Sequence, residues 1–90
     1  MNTIKQYSNI STATTTLVKT GAGILSSITI NTTAAGTITI YDSLTGAGAK
    51  IGTIAASPAI GSTFNYNDLA FGIGLTIVTA AASDITVSYR

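Results

Sequence analysis

The acidic side chains of this 90-residue sequence are Asp42, Asp68 and Asp84, which lie sixteen or more residues apart. Two carboxylates brought together by folding could act as acid and base, or gather a calcium ion with backbone carbonyls. The simpler reading makes Asp42 and Asp84 residues that flank strands and cap turns through side-chain to backbone hydrogen bonds. Serine and threonine are plentiful, but a hydroxyl nucleophile needs a base. The chain has no histidine and no cysteine, so only a lysine or a carboxylate could serve. No enzymatic activity is expected, and no catalytic, metal-binding or cofactor-binding residue is assigned.

The glycine clusters do not change this reading. Gly46-Ala47-Gly48-Ala49-Lys50 leaves one residue between the last glycine and the lysine, and Ile51 stands where a phosphate loop needs a hydroxyl for magnesium. Gly21-Ala22-Gly23 and Gly72-Ile73-Gly74 lack the third glycine of a dinucleotide fingerprint. All three clusters read as turns. Of the four tyrosines, Tyr41, Tyr66 and Tyr89 read as strand residues half in the core. Tyr7 lies outside the strand pattern and is the better contact residue.

Apolar residues make up 46 % of the chain, an ordinary share, whereas charged residues make up 8 %, against about 25 % in typical domains. Intrinsic disorder is not expected from such a composition. Lys5, Lys19, Lys50 and Arg90 are spread along the sequence, with a net charge of +1, so no basic patch faces a row of phosphates and nucleic acid is not an expected partner. The opening "MNTIKQYSNIST" lacks the apolar core of a signal peptide, and no run is long enough for a membrane helix. The expectation is a protein made and used without Sec-type export and with no membrane partner. The sequons at Asn9 and Asn31 are of the kind chance supplies in a chain rich in Asn, Ser and Thr.

Threonine and isoleucine recur throughout, and their branched β-carbons favour the pleated strand. Ile28-Thr29-Ile30, Ile38-Thr39-Ile40 and Ile85 to Tyr89 alternate apolar and hydroxyl residues, the period of a strand with one face buried. Further strands are expected at Thr14 to Lys19, Ala49 to Ile54, Thr63 to Leu69 and Leu75 to Thr79. Turn residues separate them at intervals that suggest an all-β fold: a single antiparallel β-sandwich or small barrel of about seven to eight short strands. The stretch Thr37 to Ile54 reads as a hairpin with isoleucines in the core, its turn given freedom in φ by Gly46 and Gly48. The likeliest short helix is "TAAASD" near residue 80.

Residues 13–90 form the β-sandwich domain in this reading, and residues 1–12 an N-terminal arm or edge strand. Ile4, Tyr7 and Ile10 recur there at a spacing of three among polar residues. They are expected to contribute little to the core and to form a partner interface.

The segments "TTTLVKTGAGIL", "ITINTTAAGTITIYD" and "FGIGLTIVTAAASDITVSYR" resemble small virion proteins of tailed bacteriophages and prophages, over residues 14 to 90. The shared features are a strand ending in a Val-Lys-like pair before Gly-x-Gly-x-Leu, a Thr-Ile-x-Ile-Tyr-Asp strand and a closing Asp-Ile-Thr-Val-Ser-Tyr segment. The resemblance implies a capsid decoration, cement or head-fibre component located in the virion. It implies a homo-oligomer, with a trimer favoured, that binds the major capsid protein or neighbouring virion proteins. It carries no active-site residues. The alternative is a carbohydrate-binding or adhesin module of a virion or cell surface. Against it stand the absence of tryptophan and the shortage of Asp, Asn and Glu near a common aromatic.

Overall fold

The computed structural model describes residues 5–90, which form eight strands and no helix. They are β1 (Gln6–Ile10), β2 (Thr15–Thr20), β3 (Gly23–Thr32), β4 (Ile38–Asp42), β5 (Ala49–Ile54), β6 (Thr63–Phe71), β7 (Gly74–Thr79) and β8 (Asp84–Tyr89). Two four-stranded antiparallel sheets result, one ordered β1-β8-β3-β6 and the other β2-β7-β4-β5. Among the described residues, β4 and β5 are the only consecutive strands that pair; every other connection crosses from one sheet to the other. That order, with two interlocked Greek keys, is the eight-stranded jelly roll. The chain is a β-sandwich, not a closed barrel.

Alternation builds the core. The first sheet turns Ile10, Leu25, Ile28, Ile30, Phe71, Ile85 and Val87 inward, and the second turns in Ile38, Ile40, Ile54, Leu75 and Ile77. Branched side chains on facing pleats interdigitate well. Thr79 also points inward, and its hydroxyl is satisfied: it donates to the Thr12 carbonyl at 2.6 Å and accepts the Thr14 amide at 3.1 Å. This pins the β1–β2 connection to β7. Tyr66 and Tyr89 pack against the core as expected. Burial pushes the Tyr66 phenol above its ordinary value. Tyr41 instead lies on the outer face of the second sheet, in a cross-strand row with Thr76 and Lys50.

Residues 80–83 form a turn, not the alternative short helix: the Ser83 amide donates back to the Ala81 carbonyl as the chain returns to the first sheet. Two sequence expectations need correction. Residues 6–10 are not outside the core; β1 pairs with β8 along its whole length, from Gln6 opposite Tyr89 to Ile10 opposite Ile85, and Ile10 is buried in the sandwich. Gly48 does adopt a positive φ of 109°, but Gly46 serves a different purpose. The loop over residues 43–48 folds across the outer face of the second sheet. A Cβ at Gly46 would come within 3.0 Å of Val78 Cγ2 and 3.3 Å of Thr15 Cγ2. Close approach, rather than freedom in φ, demands the glycine there.

Candidate functional site

The chain's three carboxylates do not meet; each organises a separate region. Asp42, at the end of β4, accepts backbone amides from all three residues of the Gly72-Ile73-Gly74 turn: Oδ2 from Gly72 at 3.0 Å, and Oδ1 from Ile73 at 2.8 Å and Gly74 at 3.3 Å. The amides of Gly72 and Ile73 hold its carboxyl below the ordinary value, against a smaller opposing effect of burial. Turn capping by this residue was legible in the sequence; its 30-residue reach was not.

Asp84 accepts side-chain amides rather than capping a turn. Asn9 Nδ2 donates to Asp84 Oδ1 at 2.6 Å and Asn31 Nδ2 to the same oxygen at 3.3 Å, while Asn31 also donates to Thr86 Oγ1 at 2.9 Å. Asp68 sits in a bulge of edge strand β6, where Asn67 and Asp68 both take positive φ. It lies 3.7 Å from Lys5 Nζ and 3.5 Å from Arg90 Nη2. These exposed pairs tie the chain's two ends to the far edge of the sheet with little net energy. Among the described residues there is no pocket and no group of three acidic side chains that could hold a metal, so the surfaces themselves are the candidate sites.

Two surfaces stand out. The first is the end of the sandwich where the β4–β5 loop meets the β6–β7 turn. Ser43 donates its amide to the Gly74 carbonyl at 3.1 Å, and its own carbonyl accepts the buried Thr76 hydroxyl at 2.7 Å. Leu44 packs against Gly74, where a Cβ would come within 2.8 Å of its Cδ2. The loop and turn are thereby locked together, yet Leu44 remains 46 % and Ile73 57 % exposed. Leu17 on β2, opposite Thr76 of β7, is a third exposed apolar side chain on the same sheet. Sequence reading missed all three. The available signal was a large apolar residue inside a turn, as in Gly72-Ile73-Gly74, where burial by the chain itself is not expected.

The second surface is the outer face of the first sheet. Register places Thr63, Thr29, Thr86 and Asn9 in one cross-strand row and Asn65, Ser27, Ser88 and Tyr7 in the next. The face is almost wholly hydroxyl and amide. Of the expected interface residues, Tyr7 lies on this face and is 75 % exposed, and Ile4 lies outside the described residues. Ile10 points the other way into its own core, because it is three residues from Tyr7 and one from outward-facing Asn9, an odd separation that changes face on a pleated strand. That burial removes it from a contact surface.

Edges complete the description. β2, β5 and β6 each carry a register irregularity against their neighbours, a device that blunts pairing with other chains. β1 runs in continuous register against β8. Compared with known proteins, the chain matches no family model, no curated protein and no solved structure.

Proposed function

We propose that this chain is a non-enzymatic structural subunit of a phage virion, decorating or cementing the capsid through oligomeric contacts of its β-sandwich. The observation that carries the reading is the rigid end where exposed Leu44 and Ile73 sit on a loop and turn bonded to each other and to Asp42. Turns ordinarily expose polar residues, and an exposed apolar group on a loop held by backbone and carboxylate hydrogen bonds is suited to docking against a fixed partner. Asp42 supplies that rigidity, so little ordering is lost on contact. The low charge of the chain and its resemblance to phage virion proteins support the same reading. The jelly roll is shared by capsid and lectin domains and by itself does not choose between them. The partners in this proposal are the major capsid protein or neighbouring virion proteins, together with further copies of the chain, a trimer being favoured.

Mass spectrometry of particles purified from the phage or lysogen that encodes the chain tests the assignment; particles without the chain overturn it. With particles in hand, Ile73→Asp, at the more exposed of the two positions, should weaken binding while leaving the melting temperature nearly unchanged.

A further inference from the structure

We propose that the outer face of the β1-β8-β3-β6 sheet carries a binding site for neutral glycans, with Tyr7 as the stacking platform and Asn9, Asn31, Asp84 and Thr86 as the groups that meet sugar hydroxyls. The sequence places these residues far apart, Asn9 being 75 positions from Asp84 and Asn31 being 53. Strand order brings them onto one face. Asn9 is two residues from Tyr7 on β1, about 7 Å along the strand, and opposite Thr86 on β8. Asn31 reaches Thr86 and Asp84 from β3 on the other side.

The polar groups are held in place before any ligand arrives. Asn9 also donates to the Ile85 carbonyl at 3.0 Å, and both asparagine amides converge on a single carboxylate oxygen, Asp84 Oδ1. Among the described residues, Asp84 Oδ2 and the two asparagine side-chain carbonyls receive no hydrogen bond and open to solvent as acceptors. A polyhydroxylated ligand matches such an array, because each hydroxyl both donates and accepts. Its orientation costs little entropy on the protein side. At the Asn9 end of the array stands Tyr7, the most exposed of the large apolar and aromatic side chains among the described residues, on a strand whose five residues carry no charge. An aromatic face with Asn9 and Thr86 close by, and the Asp84 carboxylate further along the same face, suits the apolar face and hydroxyl rim of an oligosaccharide.

Charge decides the class of sugar. Lys5 and Arg90, which flank the Tyr7 end, are both paired with Asp68, whereas the Asp84 carboxylate has no cation among the described residues and disfavours sialylated or sulfated glycans at its end of the face. This site is separate from the apolar docking end, so either reading can fail alone.

The test is a printed array of neutral and acidic oligosaccharides probed with the full chain, followed by titration calorimetry on the best binder. Neutral glycans should be retained in preference to acidic ones. Tyr7→Ala and Asp84→Ala should each weaken binding by about tenfold or more, Tyr7→Phe should keep the stacking platform and most of the affinity, and Thr53→Ala on the opposite sheet should change nothing. A silent array, a preference for acidic glycans, or binding that survives both Tyr7→Ala and Asp84→Ala overturns the proposal. So does a Tyr7→Ala variant that loses particle binding and leaves glycan binding intact, since the face would then be a protein contact.

Discussion

Asp42 Oδ1 accepts the backbone amide of Ile73 at 2.8 Å, and this bond couples the end of β4 to the turn by which the chain passes from one sheet to the other. Neither residue belongs to the apolar core. Together they fix the geometry of the end proposed to meet the virion.

Asp42→Ala leaves three turn amides without their acceptor and should lower the melting temperature. The pH dependence follows from the depressed carboxyl: its contribution is complete above the ordinary value of 3.8 and is lost as pH falls below that value through the folded one. Melts between pH 7 and pH 2 should therefore show a smaller acid-induced loss in the variant than in the parent. Parallel acid limbs would show that the bond contributes nothing.

Ile40 is fully buried at the centre of β4. Ile40→Asp places an unpaired charge in the core at a cost of several kcal/mol, comparable with the roughly 5 kcal/mol total stability of a small domain. The variant should be unfolded by circular dichroism, and a cooperative melt at the parental temperature would contradict the packing described.

Two residues of β1 should respond oppositely. Ile10→Ala removes core side-chain volume and should cost about 2–5 kcal/mol, whereas Tyr7→Ala, on the exposed face, should stay within about 0.5 kcal/mol of the parent. Urea denaturation measures both. Deleting residues 2–12 should for the same reason destabilise the domain, and deleting residues 84–90 should abolish folding, because β8 joins β1 to β3.

Gly36 and Gly72 make a second contrast. A Cβ at Gly36 would lie 2.6 Å from the Ala81 amide nitrogen and 2.9 Å from the Ala80 carbonyl carbon, while one at Gly72 meets nothing within 4 Å. Gly36→Ala should cost about 1–3 kcal/mol through backbone displacement, and Gly72→Ala should be nearly neutral. Thermal melts of the two variants decide it.

The sequence by itself determined the β class, seven of the eight strands and the inward face of those that alternate clearly, because a period of two is a local property carried by pairs such as Ile28 and Ile30 or Ile38 and Ile40. It missed β1 as a core element because Ile10 is the sole buried residue of that strand, too little to set a pattern. Only the tertiary structure decided the order β1-β8-β3-β6, since pairing between strands far apart in the chain leaves no periodic trace within either one. The same holds for the sites. Asp42 was readable as a turn cap, yet its partners lie 30 to 32 residues away. Asn9 stands two residues from Tyr7 in the sequence, but only strand register adds Thr86, opposite Asn9, and, about 13 Å further along β8 from the residue opposite Tyr7, Asp84.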